Sequence, residues 1–271
     1  MEFIDTHCHI QSAGNNGGER STAEVWAKLS GVTSQDILSN ANAANVTKVV
    51  VVGCTLSDSQ LALDFANRHN SAWASIGVHP HEAEHYVNNE KEWAQFAAGA
   101  TEPKVIAIGE CGLDYFYNHS SKDDQIAVLH KQLQLAATHN LPLIFHVREA
   151  YDDFWPIFDQ YPGLRGVLHS FTDSVANMER AVANGLYIGV NGIATFTKEP
   201  AQQAMYKAIP LKNMVLETDA PFLTPTPYRG SINEPKHVVT VASYLAQMRD
   251  IELSSIAAAT TDNAMKLFGL K

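Results

Sequence analysis

Short, nearly continuous apolar runs recur along the chain, separated by longer stretches with helical spacing. The runs are Phe3–Thr6, Lys48–Gly53, Ala72–Val78, Val105–Gly109, Leu143–Val147, Gly166–His169, Leu186–Val190 and Met214–Glu217. They are rich in Val and Ile, the pattern of strands buried on both faces of a parallel sheet. Between them, Ser57–Asn70 places Leu61, Ala62, Phe65 and Ala66 on one stripe, with Ser57 or Asp58 as the expected N-cap. Asp123–Asn140 carries Ile126, Leu129 and Leu133 at helical spacing, Ser174–Asn184 stops at an Asn-Gly pair, and Ser254–Phe268 predicts a closing helix.

Eight runs alternating with helices predict βαβ units in the α/β class. They fit a single-domain TIM (β/α)8 barrel over residues 1–271, a length close to the roughly 250 residues typical of that fold. An open doubly wound sheet also satisfies the pattern alone. No GxGxxG or GxxxxGK[ST] follows the first run, which removes the usual support for a nucleotide-binding sheet. Two stretches read as irregular: Gln11–Ser21, taken as the core of a mobile loop spanning 11–34, and the proline-rich Ala220–Pro235.

Composition narrows the class. An apolar content of 45% with 18% charged residues is ordinary for a globular protein. Cys8, Cys54 and Cys111 form no CxxC pair and cannot all pair internally, which favours reduced thiols. The N-terminal MEFIDTHCHI lacks a basic n-region and an apolar h-region, and no run approaches the roughly 20 residues that span a bilayer. A cytoplasmic protein without a membrane association or an obligate protein partner is therefore expected. The net charge of −10 argues against a broad basic surface gripping duplex DNA through many phosphates. It leaves open a single phosphodiester bound by metal cations and a few local basic groups.

The chemistry gathers at the ends of the apolar runs. His7 and His9 follow the first run, and alternation puts both on one face while Cys8 points elsewhere. An HxH alone fits hydrogen-bonded structural histidines equally well. However, Glu110 ends VIAIGE, His146 ends PLIFH, His169 ends GVLH, and Asp219 follows MVLET. In a barrel these strand ends meet at one mouth. Clustered buried carboxylates repel each other and need compensating charge, which a divalent cation supplies. Four histidines and two carboxylates suit Zn, Mn, Fe, Ni or Co better than an all-oxygen site, with Mg still open. Six ligands exceed one tetrahedral ion, so two metals sharing a carboxylate fit the inventory better.

Taken in order, FIDTHCHI, VVVGC, SIGVHPH, AIGECGLDY, LPLIFHVREA, GVLHSF, LETDAPFLTP and YRGSINEP run nearly the full length of the chain. Together they resemble the TatD-family metal-dependent deoxyribonucleases of the amidohydrolase superfamily. The resemblance implies a TIM barrel in which His7, His9 and Asp219 hold one metal, His146 and His169 hold the other, and Glu110 bridges them. It separates this chain from amidohydrolases bridged by a carboxylated lysine. It also implies a DNA substrate, as single strands or ends, cleaved by a metal-activated water with Asp219 as base and Glu110 in the catalytic set. Two departures stand out: a long segment from Gln11 to Ser34, and HSFTDS where the family often has HCFSG.

Further candidates are less specific. His79 and His81, at the end of the third run, face the substrate phosphate or merely satisfy strand-end hydrogen bonds. Arg148 alternates onto the face of His146 and binds phosphate, or else pairs with Glu149, Asp152 or Asp153. Arg229 is a second phosphate candidate, with a surface salt bridge as its alternative. Asp114 either orients a ligand or supports the loop, and Tyr115, Phe116 and Tyr117 either stack on bases or pack. A small-molecule amidohydrolase acting on a lactone, amide or phosphoester is the competing enzyme, and a metal-stabilised binding protein the non-catalytic one.

Overall fold

In the computed structural model, which describes residues 1–14, 20–117 and 119–270, the expected runs all become strands. They are β1 (Phe3–Cys8), β2 (Val46–Val52), β3 (Ala72–Ile76), β4 (Val105–Asp114), β5 (Leu143–Arg148), β6 (Gly166–Leu168), β7 (Tyr187–Val190) and β8 (Met214–Leu216). Among the described residues these form one eight-stranded parallel sheet, each strand beside the next in chain order. No helix among them is long and apolar enough to cross a membrane.

Alternation along the strands divides the core in two. Ile4, Val50, Ile106, Ile144, Val167 and Val215 meet inside the barrel, joined by Leu267, Phe268 and Leu270 from the end of the chain. Val49, Val51, Ala74, Ile108, Phe145 and Ile188 face outwards into the larger cluster shared with the helices. Helices and inner layer therefore bury both faces of every strand, which is why the runs are continuous rather than alternating.

The barrel is closed by a short seam between β1 and the chain after β8. Asp219 N donates to His7 O at 2.9 Å and His9 N to Ala220 O at 2.7 Å. Beneath them sits the buried carboxyl of Asp5, which accepts from Thr218 N at 2.9 Å and His7 N at 3.2 Å and bonds the Thr218 hydroxyl at 2.5 Å. Burial pushes the Asp5 carboxyl up to about 8, although the bonds from Thr218 and His7 pull the other way.

Several boundaries differ from expectation for identifiable reasons. β3 stops at Ile76 because Val78 exchanges both of its backbone bonds with the Gln132 side chain, at 2.8 and 2.9 Å. β4 runs on to Asp114 because its ladder with β5 resumes over Cys111–Asp114. The helix after β2 spans Leu56–Arg68 and is capped by Thr55, whose hydroxyl accepts from Asp58 N; Asp58 itself is buried and accepts from Cys54 N and Gln11 Nε2. The loop expected over 11–34 is largely structured where described. Ile10–Ser12 is a buried 3-10 turn, Arg20–Trp26 is helical, and the buried Trp26 indole donates to His9 O at 2.8 Å. Residues 15–19 of that loop lie outside the described residues.

Asp5→Ala should leave Thr218 N and His7 N without an acceptor in a dry seam. Unfolding stability is expected to fall by about 2 kcal/mol or more, read as a drop of at least about 4 °C in the thermal midpoint. Asp5→Asn, which keeps the shape and one acceptor, should lose less than half as much; equal losses would show that the hydrogen bonds do not carry the effect.

Candidate metal centre

The end of β1, the middle of β4, the second half of β5 and the residues just past β6 and β8 bring all six expected ligands to one mouth. His7 and His9, two residues apart at the end of β1, place their Nε2 atoms 3.1 Å from each other. Asp219 Oδ1 lies 3.7 Å from His7 Nε2 and 3.4 Å from His9 Nε2. Asp219 has φ +58°, a left-handed conformation that Asp tolerates better than most residues.

Glu110 stands between two groups of rings. Its Oε2 is 3.3 Å from His7 Nε2 and 3.9 Å from His9 Nε2. Its Oε1 is 2.9 Å from His146 Nδ1, 3.5 Å from His79 Nε2 and 3.7 Å from His169 Nε2. Donor atoms around a tetrahedral ion with bonds of about 2.0–2.2 Å stand about 3.3–3.6 Å apart, so the cluster is already near ligand spacing.

The other nitrogen of each ring decides what the facing nitrogen offers. His9 Nδ1 bonds Val52 O at 2.9 Å, and a carbonyl can only accept, so Nδ1 carries a proton and Nε2 is the nitrogen that presents a lone pair when the ring is neutral. His146 Nε2 bonds Asp114 Oδ2 at 2.9 Å, which leaves Nδ1 as the ligand atom. His169 Nδ1 lies 3.0 Å from Glu217 Oε1, an ion-pair contact without hydrogen-bond geometry. His79 is the opposite case to His9. Its Nδ1 accepts from His81 N at 3.2 Å, so Nε2 bears the proton and is a hydrogen-bond donor.

The electrostatics favour positive charge at the centre. Burial raises the Glu110 carboxyl, yet the surrounding His169, His79, His7 and His146 outweigh it and hold Glu110 well below the usual range. Burial lowers His9 and His169, but Asp219 and Glu110 bring His9 up to about 9, while Glu217 and Glu110 do the same for His169. Against burial again, Asp114 and Glu110 bring His146 up to about 9. His7 and His79 are shifted down, chiefly by burial. Ring nitrogens at ligand spacing, set among buried carboxylates, fit divalent cations; groups of three such donor atoms within 4.8 Å include His7–His9–Glu110, His7–His169–Asp219 and His79–Glu110–His146.

The remaining candidates divide. His79 caps the turn Pro80–Glu82 after β3 and points at the centre, whereas His81 stands one step out, 3.0 Å from Asp114 Oδ2. Neither lies on the strand itself. Arg148, exposed at the end of β5, pairs with none of Glu149, Asp152 or Asp153 among the described residues and lies over the Phe116 ring at 3.8 Å. Arg229 stands apart from the six; it covers Phe196 at 3.8 Å and donates to Thr224 O at 2.9 Å. Sequence reasoning passed over Glu217 as a strand end. A clue lay in Gly189, where a Cβ would fall 2.5 Å from Glu217 Oε2, so that glycine makes room for the carboxylate. It also passed over Cys54, whose thiol donates towards Glu110 Oε2 at 3.8 Å.

Comparison with known proteins now adds to the geometry. A family model described as TatD related DNase matches residues 4–269. The chain belongs to the TatD related DNase family. Within reach of that family, it is 35% identical to the 3'-5' ssDNA/RNA exonuclease TatD of Escherichia coli (strain K12), over 93% of this chain and 98% of that one. It is 34% identical to the uncharacterized metal-dependent hydrolase YabD of Bacillus subtilis (strain 168), over 98% of each. Among solved structures, the TatD homologue YJJV of Escherichia coli k12 superposes with a TM-score of 0.85 at 28% identity, covering 99% of this chain and 98% of that one.

Glu110→Ala removes a carboxylate that turns one oxygen to His7 and His9 and the other to His146 and His169. Metal content measured by mass spectrometry of the purified protein should fall relative to wild type, while His79→Ala, which removes a donor rather than a lone pair, should leave it unchanged. Full metal content in the Glu110 variant would show that Glu110 does not ligate.

Proposed function

We propose that this TatD-family chain is a two-metal nuclease that hydrolyses phosphodiester bonds of single-stranded DNA, working from exposed ends. The observation that carries the two-metal reading is the division of Glu110, with one oxygen towards His7 and His9 and the other towards His146 and His169. In this reading His7, His9 and Asp219 hold the first ion, His146 and His169 the second, and Glu110 both. The all nitrogen and oxygen donor set suits Zn, Mn, Fe, Ni or Co, and Mg among abundant ions. The substrate follows from the likeness to the exonuclease of Escherichia coli.

When bound, such ions bring the pKa of a coordinated water from 15.7 towards about 7 and neutralise charge on the phosphoryl oxygens. The chain supplies the rest. Asp219 reaches His9 with one carboxylate oxygen, and it accepts the proton of the attacking water. His79 offers its Nε2–H to a phosphoryl oxygen from a ring that burial keeps uncharged. His81, on the same turn, and Arg148, at the end of β5, stand on the same side of the mouth, where they hold the phosphate and its neighbour. Arg229 meets the strand farther out.

Exhaustive chelation should abolish hydrolysis of a single-stranded oligonucleotide, and readdition of Mn, Zn or Mg should restore it; full turnover by the chelated protein would sink the mechanism. Asp219→Asn is expected to lower kcat by about 100-fold or more with the fold intact by circular dichroism, because a positioned general base contributes on that scale. A rate near wild type would remove Asp219 from the role of base.

A further inference from the structure

Beyond Asp114 the chain runs into three consecutive aromatic residues, and the structure treats them differently. Tyr115 is tied down: its hydroxyl donates to Asp153 at 2.8 Å and its ring carries the Lys122 ammonium at 3.9 Å. Phe116 and Tyr117 remain 48% and 44% exposed and meet edge to face at 4.7 Å. Tyr117 also stacks on the His119 ring at 5.8 Å, and the Phe116 and Tyr117 rings together present apolar faces to water.

Their position is fixed rather than left to a loose loop. Asp114 Oδ1 accepts from Phe116 N at 3.0 Å and Tyr117 N at 3.1 Å, while its Oδ2 bonds His81 at 3.0 Å and His146 at 2.9 Å. One buried carboxylate thus holds the aromatic pair in the same frame as a metal-facing histidine. The His81 ring meets Tyr117 edge on at 5.5 Å. The guanidinium of Arg148, two residues past His146, lies 3.8 Å above Phe116 and 5.0 Å from Tyr117, with no ion-pair partner among the described residues.

We propose that Phe116, Tyr117 and Arg148 form a nucleobase-stacking subsite that receives the unpaired base beside the phosphate held at the metal centre. The proposal rests on the nuclease reading and adds to it the part of the substrate that is recognised. Aromatic faces and guanidinium planes stack on any base, so the subsite is tolerant of sequence. The bases inside a duplex are stacked on each other and offer no free face, and a net charge of −10 disfavours gripping two strands through many phosphates. The ligand is therefore a splayed nucleotide of a single strand, with Arg148 also supplying the positive charge for its backbone.

The test compares two fluorescent phosphorothioate-linked oligomers of equal length, one of thymidine and one abasic, binding to the metal-loaded full-length protein. Wild type should bind the thymidine oligomer about 10-fold or more tighter than the abasic one, the scale of one or more stacked bases. Phe116→Ala with Tyr117→Ala should abolish the difference while metal content and thermal midpoint stay unchanged, and Phe116→Trp should preserve it. Equal binding of the two oligomers by wild type, or a difference that survives the double substitution, overturns the subsite. Parallel assays with ordinary phosphodiester oligomers separate the two readings. Turnover without base discrimination removes the subsite alone, and base discrimination without turnover removes the nuclease alone.

Discussion

A carboxylate buried in the mouth of a barrel sets the terms for everything around it. Glu110 is removed from water and holds its charge only because histidines from β1, β5, β6 and the turn after β3 surround it. Several imidazoles of the mouth are in turn positioned from behind, His9 by Val52 O, His146 by Asp114, and His169 by the nearby Glu217 carboxylate. Each layer of partners constrains the next, so the six expected ligands draw on most strands of the barrel. The arrangement is costly for a protein without a cation and well suited to one that binds them.

Much of this was legible in the sequence. Strands buried on both faces leave unbroken apolar runs, so all eight were found, and the polar residues closing five of them pointed to the mouth. The misplaced ends have tertiary causes: a side chain 54 residues away replaces the ladder at Val78, and pairing with β5 extends β4 through CGLD, which carries no β-branched residue. Residues 20–26 were read as loop because the Gly- and Asn-rich stretch before them dominated, although the helix there exists to seat Trp26 under His9.

Within the site, residue types were readable and proton positions were not. Whether an imidazole offers a lone pair or a proton depends on a partner distant in sequence: Val52 lies 43 residues from His9, and Asp114 lies 32 from His146. His79 looked like any other strand-end histidine until its Nδ1 was seen to accept from His81 N. The same holds for the aromatic triplet, whose members are alike in the sequence and are sorted by Asp153 and Lys122 on one side and Asp114 on the other.

The seam between β1 and the chain after β8 has a consequence for how the catalytic centre comes into being. Asp5 and Thr218, joined there, are 213 residues apart, nearly the whole chain. His7, His9 and Asp219 are the next residues along on either side, so half of the ligand set straddles the joint between the beginning and the end of the polypeptide. Bringing segments this far apart together closes a loop that takes in most of the chain. A chain that stops short of Asp219 lacks one of the expected ligands, so the candidate centre is complete only once the segment after β8 has returned to β1.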